Sequence, residues 1–170
     1  VTLLQDKLLR GSTKDNNNNN LTVVDFGSGS GNLCLALAAY FTHVRFVLVD
    51  KKPYPLTLVQ RRAEEAGLTN VQVLQYTLSP GNFKDFEPPP PPEEDQRITT
   101  TNPSLLLRSF DIGIGLHCCG SFTDMVMEIC RDRGADCIVC PCCNGAMTSK
   151  TTCGYNYPRS EFLKCCMTQD

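Results

Sequence analysis

The chain has 170 residues, of which 41% are hydrophobic and 20% charged, with a formal net charge of −2. That is one domain's worth, able to bury roughly 70% of its unfolded surface, with ordinary globular rather than disordered composition. A global excess of Lys and Arg to hold a nucleic-acid backbone is excluded, and so is a membrane helix, since no run approaches ~18 consecutive apolar residues.

Residues 1–11 pair Leu4 with Leu8 and Leu3 with Leu9 around polar residues, a short helical signal. Asn16 to Asn20 has nothing to bury and reads as a disordered linker, so residues 1–20 stand before the domain. The first residues, Val1 and Thr2, carry neither a Met nor a signal-peptide pattern and read as part of a longer protein.

The folded domain is expected over residues 21–145. Leu21–Phe26 is a short apolar run ended by glycines, hence a buried strand. Asn32–Phe41 is rich in Leu and Ala and predicts a helix; Val44–Val49 predicts a second strand closed by Asp50. Tyr54–Ala66 predicts a helix with Arg and Glu outside, stopped by Gly67. Lys51, Lys52, Arg61 and Arg62 read as a solvated face. Val71–Gln75 is a third strand. Pro88 to Pro92, flanked by Glu87, Glu93 and Glu94, must be extended and exposed, and marks an insertion spanning 84–108. Strand signals return at Asp111–Leu116 and Asp136–Cys140, with a helix at Thr123–Arg133 between them. Strands apolar throughout and alternating with helices indicate a parallel sheet covered on both faces. The fold class is α/β, a Rossmann-like, doubly wound, mostly parallel sheet.

Asp25-Phe26-Gly27-Ser28-Gly29-Ser30-Gly31-Asn32-Leu33 joins the first strand to the first helix. Glycines there permit positive φ and let a ligand approach the backbone, and the helix N-terminus offers N–H groups and a positive dipole end. The dinucleotide fingerprint is G-x-G-x-x-G; Gly27, Gly29 and Gly31 instead give G-x-G-x-G. No G-x-x-x-x-G-K-[ST] is present, so no phosphate-gripping P-loop is indicated. The second strand ends in Leu48-Val49-Asp50, and a carboxylate about 20 residues beyond the glycines can accept both hydroxyls of a ribose. The competing reading is that Asp50 caps the helix beginning near Pro53.

An acidic residue followed by G-x-G-x-G resembles motif I of the class I S-adenosylmethionine-dependent methyltransferases. The resemblance implies S-adenosylmethionine as cofactor, with Asp25 engaging its amino-acid end directly or through water. It further implies that Gly27, Ser28, Gly29 and Gly31 lie against the cofactor and that Asp50 holds its ribose. In that family an acidic residue or Asn commonly follows the third strand and contacts adenine. Here Gln75-Tyr76-Thr77 stands there, with no carboxylate before Asp85, and Tyr76 is offered as an adenine-stacking group.

Two later turns carry unusual chemistry. Asp111–Leu116 runs into His117-Cys118-Cys119-Gly120, and Asp136–Cys140 into Pro141-Cys142-Cys143-Asn144. In a doubly wound sheet both turns meet at the C-terminal edge, where ligands bind. That brings His117 and up to five thiols to the expected methyl-donor position. Three readings stay open: packing of small polarizable side chains, a zinc or iron–sulfur site built from converging ligands, and a substrate-facing role. His117 could serve there as base, polar anchor or cofactor contact, with Cys142 and Cys143 as further catalytic candidates. No metal ligand set is assigned, and His43 is expected at the surface. The run from Phe110 to Gly120, then Thr123-Asp124, Cys140 to Gly145 and Tyr155 to Ser160, resembles one methyltransferase subgroup. Members of that subgroup include tRNA 2′-O-methyltransferases, which makes a nucleic-acid acceptor an implied partner, although Cys143-Asn144 stands where those enzymes have a histidine.

Eleven cysteines would suit a disulfide scaffold in a secreted chain, but such scaffolds are usually under ~100 residues and loop-rich. Cys34, Cys137 and Cys140 sit in or beside apolar runs and are expected to be small buried hydrophobes in a reducing, cytoplasmic setting. The methyltransferase fold ends with a β-hairpin, yet only 26 residues follow Asn144 and Tyr155–Asp170 shows no alternating strand pair. Residues 146–170 are therefore expected to be a truncated end of the domain, leaving a sheet edge exposed. The leading reading is a methyltransferase domain of unassigned acceptor. Behind it stand a non-catalytic module that keeps the cofactor fold, and a cysteine-rich metal-binding module. The sequence sets no oligomeric state.

Overall fold

The computed structural model describes residues 21–78, 107 and 109–142. The N-terminal helix and Asn-run, the Pro-rich insertion, Cys143 and everything after it lie outside the described residues. So do the expected truncation and the exposed edge it would leave.

Among the described residues five strands and three helices follow in chain order: β1 (Thr22–Phe26), α1 (Asn32–Tyr40), β2 (Arg45–Asp50), α2 (Pro53–Glu65), β3 (Val71–Gln75), β4 (Ile112–Leu116), α3 (Ser121–Arg133) and β5 (Asp136–Cys140). Every strand pair is parallel, in the order β3-β2-β1-β4-β5. The chain therefore lays down β1, β2 and β3 in one direction, then returns to the other side of β1 for β4 and β5. Between β1 and β4 the winding reverses, and in open α/β sheets the ligand-binding crevice lies outside the carboxyl ends of the strands at such a point.

Successive strand residues face opposite sides, so β1 feeds two cores. Val23 joins Phe46, Leu48, Ile112 and Ile114 beneath α1 and α2. Val24 and Phe26 join Val47, Val49 and Leu74 with Val126, Ile129 and Cys130 of α3 on the opposite face. Helix ends follow local chemistry. Pro53 opens α2, where its missing N–H costs nothing. Gly134 closes α3 in the left-handed region at φ 66°, with Arg131 and Arg133 in the last turn against the negative dipole end.

Two glycines in β4 make room for sulfur. A Cβ at Gly113 would overlap Cys130 Sγ, and one at Gly115 would overlap Cys118 Sγ. Cys34, Cys118 and Cys130 are buried, as small hydrophobes should be, but Cys137 and Cys140 are exposed. The expectation of burial fails for those two because β5 is the outermost strand in the described sheet, paired on one side only by β4.

Candidate functional site at the carboxyl edge of the sheet

The turn after β1 is fixed by main-chain bonds to β2: the Gly27 and Ser28 N–H groups donate to Val49 O at 2.8 and 3.1 Å. Gly27, Gly29 and Gly31 all take positive φ, at 72°, 54° and 74°. Their surroundings differ. A Cβ on Gly27 would lie 2.9 Å from Phe122 Cε1, at the start of α3. On Gly31 it would lie 2.9 Å from Val59 Cγ2 and 3.0 Å from Leu48 Cδ2, so this glycine lets α1, α2 and β2 close together. A Cβ on Gly29 would meet nothing within 4 Å. The middle of the turn thus presents backbone to open space.

Asp50 holds that turn in place. Its Oδ2 accepts the Gly29 N–H at 3.0 Å and its Oδ1 accepts the Lys52 N–H at 2.9 Å. Helix α2 begins beyond Lys52, which makes no side-chain cap bond, so Asp50 shapes the approach to the helix rather than capping its first turn. A carboxylate has about four lone-pair positions, and two remain for outside donors such as a vicinal diol. Ser28 Oγ is buried and has no hydrogen-bond partner, a cost normally met by water or a ligand.

Asp25 lies one residue from the end of β1, 3% exposed, facing the α1 side of the sheet. Burial is the main force on its carboxyl, a hydrogen bond from Cys34 opposes it, and the charge of Asp50 adds to it; the result is a pKa pushed up to about 6. The same burial and the nearby Asp25 push the Cys34 thiol up. Because the folded value lies above the ordinary 3.8, the native state holds its proton more tightly. This contribution is fully present below about pH 4 and is lost as pH rises through about 6, amounting to about 3 kcal/mol. Asp25→Asn is expected to flatten that fall and to raise stability above pH 6, read from urea midpoints between pH 4 and 8. If the carboxylate also serves a cationic ligand, affinity for that ligand in the parent protein rises through the same window and becomes pH-independent in the variant.

Tyr76 follows β3 beside Asp50, its N–H donating to Asp50 O at 2.9 Å. Its ring is partly buried against the α3-side core, and that burial raises its phenol. Arg62 is the residue that sequence reasoning missed. It is exposed, as a solvated face requires, but it also reaches from α2 to donate to Ser30 O at 2.7 Å and Asn32 Oδ1 at 2.9 Å, bracing the far side of the glycine turn. Arg61 does behave as expected, pairing with Glu65 in solvent.

Across the crevice, His117 is exposed, with φ of 63°. His tolerates this left-handed region better than most residues, and its N–H donates to Cys140 O at 2.9 Å, tying β4's turn to β5. Cys118 turns inward, its Sγ donating to Phe26 O at 3.4 Å, with burial chiefly pushing its pKa up to about 12. The Thr123 hydroxyl donates to Cys118 O. Cys119 and Cys142 meet, with their sulfurs 3.2 Å apart. The two turns therefore converge as the strand order requires, with the His117 N–H on Cys140 O and Cys119 against Cys142, while Cys118 turns away into the core. Among the described residues no group of three or more His, Cys, Asp or Glu is placed to hold a metal ion. Cys143 lies outside the described residues. His43 sits at the surface at the opposite end of the sheet, beside Phe41.

The family model for a methyltransferase domain matches residues 4–150. The chain belongs to that family. This methyltransferase domain is 31% identical over 142 residues to the glutathione S-transferase C-terminal domain-containing protein of Mus musculus, an alignment covering 84% of this chain and 18% of that protein. It is 29% identical over 148 residues to the Drosophila melanogaster homolog, covering 87% of this chain and 21% of the relative. The chain thus spans about a fifth of the length of these curated relatives. Among solved structures, an rRNA methylase from Streptococcus thermophilus is 16% identical with a TM-score of 0.45, covering 89% of this chain and 72% of that one. S-adenosylmethionine is the cofactor consistent with the family, and the residues fit it: an open Gly29 backbone, the Asp50 carboxylate with spare acceptor positions and an unsatisfied Ser28 hydroxyl stand together at the glycine turn.

Proposed function

We propose that this domain is a methyltransferase whose acceptor enters across the turns following β4 and β5. The observation that carries the reading is the Asp50 Oδ2 to Gly29 N–H bond, which joins the carboxylate of β2 to the glycine turn beside the crevice where the winding reverses. Bound S-adenosylmethionine supplies an electrophilic methyl group on a sulfonium. The chain's own part is chiefly positioning. Gly27 and Gly29 would let the amino-acid end approach the turn without a side chain in the way, the Ser28 hydroxyl and the Asp25 carboxylate would serve its polar groups, and the spare lone pairs of Asp50 would accept from the ribose. Tyr76 borders the adenine side. On the acceptor side, His117 is the imidazole at this edge and would take the proton of an incoming hydroxyl or amine; Cys142, which follows β5, and Cys143, next in sequence, are the further candidates.

A nucleic acid, with tRNA first, is the acceptor class we favour. Lys51 and Lys52, both exposed, follow β2 at the same edge as the glycine turn, and phosphate contacts from such residues orient a polynucleotide without reading its sequence. The setting we infer is a reducing, cytoplasmic one, which the buried thiols Cys34, Cys118 and Cys130 suit. Among the described residues, no helix is long and apolar enough to cross a membrane. The test is transfer of a radiolabelled methyl group to separated pools of tRNA, protein and small metabolites. Label in the tRNA pool, lost with Asp50→Ala and reduced at least tenfold by His117→Ala, is the expected result. Label confined to protein or metabolites overturns the acceptor class; no label in any pool from a protein that binds the cofactor overturns the enzyme.

A further inference from the structure

The strongest feature outside the cofactor side is the meeting of Cys119 and Cys142. Their sulfurs stand 3.2 Å apart across 23 residues of chain. The encounter is built by the frame beneath it. Leu116 pairs with Cys140 as the last rung of the β4–β5 ladder, and the His117 N–H to Cys140 O bond extends the tie one residue further. Each sulfur therefore sits within three residues of a fixed backbone contact. The Cys142 N–H also donates to Cys119 Sγ at 3.2 Å, a donor that steadies negative charge on that sulfur. Cys142 is exposed and Cys119 partly so, which leaves the pair open to solutes.

We propose that Cys119 and Cys142 form a dithiol site that is reversibly oxidised to an intramolecular disulfide by a low-molecular-weight disulfide. A disulfide needs its sulfurs at about 2.05 Å, so the pair must close by only about 1.2 Å. The chemistry proceeds by thiol–disulfide exchange. Cys119, having released its proton to solvent, attacks one sulfur of the small disulfide; that S–S bond breaks, one small thiolate leaves, and Cys119 carries a mixed disulfide. Cys142, deprotonated in turn, attacks Cys119 Sγ and expels the second small thiolate. The protein loses two protons and two electrons, and one small disulfide becomes two small thiols. The buried thiols stay out of the exchange: burial raises Cys34, Cys118 and Cys130, and the thiolate is the nucleophile. The linkage would fix the His117–Gly120 turn to the β5 turn.

The test uses the full chain, equilibrated with glutathione and glutathione disulfide over a series of ratios. Remaining thiols are then alkylated and peptides mapped by fragmentation mass spectrometry. The Cys119–Cys142 link is expected at a disulfide-to-thiol ratio at least about tenfold lower than any adduct on the exposed Cys137 or Cys140, since the second step is intramolecular. Cys119→Ser should replace the link with a persistent glutathione adduct on Cys142, and dithiothreitol should reverse both. Separate adducts on Cys119 and Cys142 with no link, or a link from either to another sulfur such as Cys143, would overturn the proposal. The unsubstituted chain decides between these outcomes, so the result does not depend on a variant folding.

Discussion

Asp50→Ala is expected to weaken S-adenosylmethionine binding by a factor of about a hundred or more while leaving the domain folded. The carboxylate accepts two main-chain hydrogen bonds, from Gly29 and Lys52, and its remaining lone pairs would accept from the ribose. Hydrogen bonds to a charged group contribute about 1.5–3 kcal/mol each, so losing two to the ligand costs about 3 kcal/mol at the least, and 1.4 kcal/mol is tenfold. The loss to folding is smaller. The Gly29 and Lys52 N–H groups lie near the surface, where water can replace the carboxylate, so about 1 kcal/mol is expected. Asp50→Asn keeps an acceptor for one N–H and should fall between the parent and the alanine variant. Calorimetric affinity alongside a urea midpoint separates the two effects; equal proportional losses in both would mean that Asp50 serves the fold alone.

Gly31→Ala should act in the opposite way, destabilising the domain by about 2–5 kcal/mol. At φ 74° a side chain incurs the left-handed cost of about 1–2 kcal/mol. The added methyl would also press on Val59, Leu48 and Leu35, all at 3.3 Å or closer, and overpacking typically costs about 1–3 kcal/mol. Against a total stability of about 5–15 kcal/mol, that is enough to unfold a marginal domain at ordinary temperature. Gly29→Ala is the matched comparison. Its methyl enters open space, so only the conformational cost applies, but the methyl occupies the face that would meet the cofactor. Thermal midpoints and affinity measured for both variants should separate: Gly31→Ala loses stability, Gly29→Ala loses binding. If Gly29→Ala binds as tightly as the parent, the cofactor does not lie on that turn.

Much of the architecture was legible because its signals are periodic or conformational. β3 and β5 lie where apolar runs place them, and the other elements begin and end within two residues of their expected bounds. The inner strands β1, β2 and β4 are buried on both faces and so are mostly apolar, which makes their runs stand out. The G-x-G-x-G turn and Asp50 were legible for another reason: positive φ restricts residue choice, and strand length fixes where the next carboxylate falls. Direction beyond a strand's end was not legible. Cys118 and Cys119 are adjacent and chemically identical, yet one turns inward beneath Gly115 and the other outward to Cys142, a divergence that no sequence pattern announces. Burial of Cys137 and Cys140 was misjudged because run composition does not say which strand lies outermost among the described ones. Arg62 was hidden for a similar reason, since a residue on an amphipathic helix's polar side looks solvated until the loop it braces is placed.

The measurement that bears most directly on the central claim is calorimetric titration of S-adenosylmethionine and S-adenosylhomocysteine into the chain, preferably within its longer natural context. The account predicts one site of about micromolar strength for each, lost with Asp50→Ala and retained with His117→Ala. Absence of binding by a protein with a cooperative unfolding transition would contradict it, and would leave a cofactor fold kept as a scaffold without its chemistry.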